Sequence, residues 1–318
     1  MAKLNPKSND APPPMATNSH LDALLFVDTN VLLDFYRIRK SDVSTRYLQQ
    51  LEECRDRLIL GSQIEMEFKK NRQRVIVEAL GSFALPDWGK LSPPALVADT
   101  KACKMIEKKK IDLIGQHKKV SEKVRSILGD PTRHDPVYKT LQRLFKHNSP
   151  YNLARTKKER FEIRNLARKR FVLGYPPRKQ SDTSIGDSIN WEWIVQCSKK
   201  SGKNVVIVTR DTDYGVAYKD NLYLNDWLRQ EFSERVSKKR QIILTDKLSV
   251  ALKTVHKSVT REMEEEENTL LRHAIGRETQ EEGNFLLCKR DRNFDELVLF
   301  RDAQDDSSNL QKITSTKS

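Results

Sequence analysis

The sequence predicts an α/β fold whose mainly parallel sheet is covered by helices on both faces. Three observations carry this expectation. Short apolar runs at residues 24–27, 58–60, 205–208 and 242–244 alternate with stretches of helical pattern, the arrangement of successive βαβ units. The runs are continuously apolar, as in strands buried on both faces. Two of the strongest are followed by an acid, Asp28 directly after Val27 and Asp211 shortly after Thr209. That is the edge at which parallel sheets hold ligands.

Taken in order, residues 1–20 are polar and Pro-rich and are expected to form a disordered leader. Residues 24–27 read as a buried strand, and 31–36 as the start of a helix. Ser41 and Asp42 suit the beginning of a second helix, to about Glu53. A second strand is expected at 57–61, and Ser62 opens a helix to about Leu80. Prolines and a glycine break the pattern between Pro86 and Pro94. A long helical reading covers 95–128, where Ile106, Leu113, Val120 and Ile127 recur every seven residues, although Lys110 and His117 interrupt the alternate seam. A second basic helical stretch covers 136–172. The two are expected to pair as a hairpin bent at Gly129-Asp130-Pro131, with Tyr175-Pro176-Pro177 closing the segment. The α/β pattern then resumes: a helix from Gly186 to about Lys199, a strand at 205–209, a short strand at 222–224, a helix from Asp226, a strand at 242–244 and an amphipathic face through Leu248, Ala251, Leu252 and Val255. The acidic end carries two apolar runs, 285–287 and 297–300, expected as a hairpin.

Composition narrows the function classes. The chain has 318 residues and a net charge of +14, with 37% hydrophobic and 32% charged residues. It is too apolar for wholesale disorder. It has no apolar run long enough for a membrane span, and Pro12-Pro13-Pro14 stands where a signal peptide needs an apolar stretch. Cys54, Cys103, Cys197 and Cys288 lie far apart, which fits a reducing cytoplasm and argues against a zinc knuckle or disulfide framework. The charge is uneven. Residues 101–179 hold 23 Lys and Arg against 7 Asp and Glu, a net of +16, whereas 258–318 hold 9 against 14, a net of −5. A basic middle of this size points to a polyanionic partner, nucleic acid above all; a solvated helical pair is the bland alternative.

Four carboxylates stand out. Asp28 and Asp211 follow strands, Asp187 opens a helix after Gly186, and Glu67 lies in the helix after the second strand. Carboxylates that converge repel one another, and a divalent cation relieves them. Each also has a structural reading: Asp28 and Asp187 as helix caps, Asp211 as a turn residue, Glu67 as a surface acid. Glu65 has capping-box spacing from Ser62, which leaves Glu67 as the better ligand candidate. Other chemistries fail on their motifs. A haloacid-dehalogenase phosphatase needs Asp-x-Asp, and Asn30 stands at the second place. An integrin-type metal site needs Asp-x-Ser-x-Ser, which Asn30 and Leu32 break. Neither a Gly-rich phosphate loop nor a Gly-x-Ser-x-Gly elbow is present, and no His-Glu-x-x-His supports a zinc hydrolase.

Residues Phe26-Val27-Asp28-Thr29-Asn30-Val31-Leu32-Leu33-Asp34 resemble the first motif of PIN-domain nucleases. Ser62-Gln63-Ile64-Glu65-Met66-Glu67-Phe68 is similar to the second, Gly186-Asp187-Ser188-Ile189-Asn190-Trp191 to the third, and Val206-Ile207-Val208-Thr209-Arg210-Asp211 to the fourth. The motifs occur in order on the expected elements. The tryptophan after the third acid, and the Glu-Phe followed by a basic run, most resemble a PIN-like bacterial subfamily with a long insertion. The resemblance covers about 24–85 and 180–250. It implies a three-layer α/β/α fold and does not extend to the insert or the acidic end; with the pattern along the chain, the domain is expected at 21–257, interrupted by a basic helical insert at about 86–180 and followed by an acidic extension at 258–318. It also implies Mg²⁺ or Mn²⁺ in an acidic pocket and single-stranded RNA as the usual substrate. Arg210 departs from the pattern, so the fourth site rests on Asp211, Asp213 or both.

The expected activity is therefore metal-assisted phosphodiester hydrolysis. Asp28, Glu67, Asp187 and Asp211 are the candidate catalytic residues, and with Asp213 the candidate metal ligands. Asn30, Lys69 and Arg72 are candidate substrate contacts, with a helix-start polar residue and a wet helix face as their alternatives. Asp34 reads as an outer partner or surface acid. Trp191 and Trp193 read as core rather than base-stacking residues. RNA is favoured over DNA as partner. A DNA nuclease and a nucleic-acid-binding module with an inactive pocket are the rivals, and a homo-oligomer is left open. The acidic run Glu264 to Glu267 reads as a brake that occupies the basic groove or as a solvated linker. RNA turnover, a toxin and phage defence are all compatible roles.

Overall fold

The structure, a computed structural model, describes residues 21–273 apart from 82, 84, 86, 88–92, 178–183 and 220. The expected leader at 1–20 and the expected hairpin at 285–300 lie outside the described residues. Of the described residues, those up to Glu264 belong to one compact unit, and 265–273, which are helical, to a second.

In chain order the elements are β1 (Ala23–Val27), α1 (Thr29–Leu33), α2 (Ser41–Glu53), β2 (Leu58–Gly61), α3 (Ser62–Gly81), α4 (Ala95–Ala98), α5 (Lys101–Gly129), α6 (Pro131–His134), α7 (Pro136–Lys146), β3 (Asn152–Leu153), α8 (Glu159–Val172), α9 (Gly186–Ser201), β4 (Asn204–Val208), β5 (Gly215–Tyr218), β6 (Asn221–Leu224), α10 (Asp226–Arg235), β7 (Ile242–Thr245) and α11 (Leu248–Thr254). Five strands form one sheet in the order β3-β2-β1-β4-β7. Every pairing in it is parallel, with Val27 beside Val208 and Phe26 beside Ile59. Flanking helices complete the expected three-layer α/β/α architecture. Strand β1 is buried along its whole length, and β4 is buried from Val205 to Val208. Their apolar runs therefore fill the centre of the sheet, as continuous hydrophobicity requires.

The chain passes from β1 to β2 and β3 on one side, then returns to β4 and β7 on the other. The strand order thus reverses between β1 and β4, the switch point at whose carboxyl ends parallel sheets hold their ligands in a crevice. Asp28 and Thr209 follow those two ends directly.

Three features depart from the sequence expectations. The stretch at 136–172 is not one helix: α7 and α8 are separated by β3, which pairs with β2 as the edge strand. Nor do the two basic stretches pair as a hairpin. The bend at Asp130 is present, but α5 has no buried residue, and Ile106, Leu113 and Val120 are exposed. The core-facing work is done by α7, whose Val137, Leu141, Leu144 and Phe145 are buried in the main core. Finally, residues 221–224 do not join the sheet. They pair antiparallel with β5, a strand with no clear apolar pattern in the sequence. Gly215 opens that hairpin so close to the Tyr223 backbone that a Cβ there would overlap it.

Contacts with the domain continue past the expected boundary at 258. Met263 is buried, and its carbonyl accepts from the Tyr47 hydroxyl at 3.0 Å. Glu264 pairs with Lys253 at 2.6 Å.

Candidate active site

Asp28 sits where β1 ends and α1 begins. It is the N-cap of α1: its Oδ1 accepts from the Thr29 N–H at 2.6 Å, so the capping expected of a strand-end Asp is real. The other oxygen faces across to β4. Oδ2 accepts from the Thr209 hydroxyl at 2.6 Å and from Asn30 Nδ2 at 3.2 Å. Asn30 in turn accepts the Arg210 N–H at 3.3 Å and lies 3.4 Å from the Thr209 hydroxyl. Asn30 therefore braces the carboxyl ends of β1 and β4, and its amide is engaged by protein groups.

Glu67 reaches the same place from α3. Its Oε2 accepts from the Thr29 hydroxyl at 3.0 Å and its Oε1 from Gln63 Nε2 at 2.6 Å. Glu65, expected as a capping partner of Ser62, instead pairs with Lys69 at 2.6 Å. Asp187 lies in the first turn of α9, and the N-cap position there is Ile185, so Asp187 is not the cap. Gly186 has a steric role. A Cβ at this position would overlap Glu67 Oε1, so glycine lets α9 begin against the Glu67 carboxylate without displacing it. Asp211 follows β4, and its N–H donates to the Thr209 hydroxyl at 3.0 Å.

Electrostatics ties the acids together. Burial pushes the Asp28 carboxyl up to about 7; Asp211 and Glu67 add to the rise, while hydrogen bonds from Thr209 and Thr29 oppose it. Burial likewise pushes Asp187 up to about 8, and repulsion from Asp28, Glu67, Asp211 and Asp213 adds to it. The structure thus brings the five sequence-identified acids into one field. The neighbouring carboxylates make Asp28 and Asp187 harder to ionise. Tyr214 forms part of the floor. It is fully buried against Phe26 and Trp191, and burial followed by the same carboxylates raises its hydroxyl well above the ordinary range.

The donor set is all oxygen, which suits a hard divalent cation. Yet among the described residues no three His, Cys, Asp or Glu side chains stand together closely enough to hold one ion directly. The hydrogen bonds give the reason: Asp28 and Glu67 are turned toward Thr29, Thr209, Asn30 and Gln63. The arrangement fits a cation that keeps much of its water, as Mg²⁺ does.

Arg72 overturns the reading of a substrate contact. Its side chain is buried on α3, and Nη2 pairs with the equally buried Asp135 at 2.7 Å. It also donates to the Ile127 carbonyl at 2.7 Å and lies between the Tyr36 and Tyr138 rings. Its donors hold the 127–138 segment on the core and do not face a ligand. Lys69 remains on the α3 surface. Asp34 is buried and paired with Arg37 at 2.9 Å and Arg210 at 3.1 Å. Burial raises its carboxyl, and the two arginines oppose the rise. This resolves Asp34 as an inner partner and explains Arg210, which it anchors beside the site. Trp191 and Trp193 are core, as expected: their indole N–H groups donate to Glu231 at 3.1 Å and to the Leu60 carbonyl at 2.9 Å.

Sequence reasoning missed Thr29, Thr209 and Gln63. Thr29 and Thr209 lie inside motifs already singled out, but what they touch is distant in the chain, so only position beside an acid could have marked them.

No curated protein and no solved structure matches the chain. A family model described as PIN domain matches residues 25–214. The matched span begins in β1 and ends at Tyr214, taking in all four motifs and enclosing the insert. Since it covers more than half of the chain, and since the parallel sheet brings the acids of those motifs to one crevice, the protein belongs to the PIN-domain family, whose members are generally nucleases.

Proposed function

We propose that the protein is a Mg²⁺- or Mn²⁺-dependent endoribonuclease that hydrolyses phosphodiester bonds in single-stranded RNA. The observation that carries this reading is the convergence of Asp28, Glu67, Asp187, Asp211 and Asp213 at the carboxyl ends of β1 and β4, with Asp28 held at about 7 and Asp187 at about 8 by burial and mutual repulsion. A cation in their midst relieves that repulsion. The chemistry it supplies is charge neutralisation at the phosphate and a more acidic water. Asp28 and Asp187, with Glu67 and Asp211, would hold the cation directly or through water, with Asp213 as a further ligand through water. Thr209 and Asn30 fix the Asp28 carboxylate; Thr29 and Gln63 fix that of Glu67. Lys69 and the basic 86–180 segment attract the strand without reading sequence. The preference for RNA over DNA follows from the family resemblance alone.

A nucleic-acid-binding module with an inactive pocket is the second reading. It is favoured by the engagement of these carboxylates with protein donors and by the lack of three ligating side chains together among the described residues. One assay separates the two: single-stranded RNA and DNA panels incubated with Mg²⁺, Mn²⁺ or chelator. Metal-dependent cleavage of RNA, lost by about a hundredfold or more in Asp28→Asn and Asp187→Asn, is the expected result. Cleavage at the parental rate by either variant would show the site to be misassigned.

A further inference from the structure

Beside the acidic crevice, on the same carboxyl edge of the sheet, lies a basic hollow of about 220 Å³ lined by Ser62, Gln63, Met66, Arg155, Arg160 and Arg164. That is roughly seven times the ~30 Å³ share of one liquid water, enough for a phosphodiester with waters around it. We propose that Arg155, Arg160 and Arg164 form a subsite for an internal backbone phosphate of the nucleic acid, next to the scissile position. The inference rests on the nuclease reading above and deepens it.

The three arginines arrive from two elements. Arg155 follows β3, as Asp28 follows β1, and so stands at the same edge. Arg160 and Arg164 are four residues apart on α8 and share one helix face. No carboxylate lines the hollow, and among the described residues none of the three has an acidic partner. Other charges on the same helix are neutralised: Arg170 pairs with Glu192 at 2.8 Å, and Glu159 with Lys200 at 2.6 Å. Arg160 lies over the Phe161 ring at 4.6 Å, and its Nε is buried without a hydrogen-bond partner. Three like charges around one concavity repel, and an anion removes that cost. Two further features place a phosphate there. Ser62 and Gln63 open the 20-residue helix α3, whose N-terminal dipole favours negative charge. Gln63 also donates to Glu67 Oε1 at 2.6 Å, so one side chain borders both the hollow and the acidic crevice. A strand that presents one phosphate to the acids passes another to the arginines.

The test is binding of a labelled single-stranded RNA oligonucleotide by the full chain without divalent metal, across a series of salt concentrations. The triple variant Arg155→Gln, Arg160→Gln, Arg164→Gln should raise Kd at least about tenfold near 0.1 M salt. It should also lower the slope of log Kd against log salt by about 0.7, since a single strand releases roughly 0.7 counterion per phosphate neutralised and the subsite takes one phosphate. The matching lysine triple keeps most of the slope, which separates loss of charge from loss of fold. Lys238, Lys239 and Arg240 precede β7 at the opposite edge; changing all three to Gln removes the same charge and should shift Kd by less than about twofold. Equal losses from the two glutamine triples, or no loss from the first, would overturn the subsite, as would absence of binding by the parent chain. A 5′-hydroxyl strand should bind as well as a 5′-phosphorylated one. An arginine effect confined to the phosphorylated strand would assign the hollow to a terminal phosphate and overturn the internal one. Because the readout is binding, a chain that cleaves nothing still decides this inference, while refuting the nuclease reading separately.

Discussion

A buried carboxylate is costly, and Asp28 and Asp187 stand in a field that no neighbouring cation of the protein neutralises in full. Without metal, the folded state keeps protons on both groups that the unfolded chain, with ordinary carboxyls near 3.9, has already released. Their stabilisation is complete below about pH 4. It is lost as the pH rises through about 7 for Asp28 and about 8 for Asp187, because over that window the native state binds more protons than the unfolded one. Each group changes stability by about 1.4 kcal/mol per pH unit across its window, so metal-free protein should lose several kcal/mol between pH 5 and 8.5. The double variant Asp28→Asn, Asp187→Asn should lose clearly less, as followed by urea unfolding in chelator. Millimolar Mg²⁺ should raise the parental Tm at pH 8 and leave that of the double variant unchanged. A parental stability that is flat over this range, or equal Mg²⁺ shifts, would refute the account. The acids themselves were legible in the sequence, since a strand-end Asp has few positions open to it. Their holders were not: Thr29 and Glu67 are 38 residues apart, and Thr209 and Asp28 are 181 apart. No local pattern encodes contacts of that separation.

Elements expected as an insert turn out to be fastened into the domain by buried ions. One fastening is Arg72 on α3 with Asp135, the N-cap of α7. A second joins α8, α9 and α10: Arg170 pairs with Glu192 and Glu231, and Arg235 with the same two acids at 2.6 Å each. Removing one partner of a buried pair strands the other charge, at about 3–5 kcal/mol. Arg72→Ala should accordingly lower stability by about that much, measured by urea unfolding, and Asp135→Ala by a similar amount. Lys69→Ala on the same helix breaks only a surface pair and should cost no more than about 0.5 kcal/mol. Equal small effects from Arg72 and Lys69 would return Arg72 to the solvent-facing role read from the sequence. That reading went astray because Lys69-Lys70-Asn71-Arg72 looks like one wet basic run, whereas helical rotation turns Arg72 to the core side with Phe68, four residues earlier, and Val75, three later. Strand β3 was invisible for a different reason. It is two residues long, below any periodicity signal, and exists because the edge of β2 needs a partner.

At the scale of the molecule, the net charge of +14 resolves into an acidic crevice, a basic hollow beside it and an exposed basic helix α5. The parallel sheet and the motif order were legible because apolar strand runs alternating with helical stretches point to successive βαβ units. The end of the domain was not, because the acidic composition starts near Glu262 while Met263, which joins the core, is a single apolar side chain among glutamates. Its burial contributes about 1.5–3 kcal/mol. Its carbonyl also satisfies the buried Tyr47 hydroxyl, which otherwise loses its acceptor at a cost of about 1–3 kcal/mol. Arg46 pairs with Glu262 at 2.9 Å and Lys253 with Glu264 at 2.6 Å, so two of these acids already neutralise cations of α2 and α11. A phosphate-mimicking brake built on Glu264 would have to break the Lys253 pair. A chain ending at Lys257 should therefore be less stable than the parent by about 2–5 kcal/mol, and its loss of activity should track unfolding rather than any change in regulation. A chain ending at His273 keeps these contacts and should hold the parental Tm in a thermal melt. Equal Tm values for the two truncations would place the end of the fold at 257, as composition alone suggests, and would make the Met263 contact incidental.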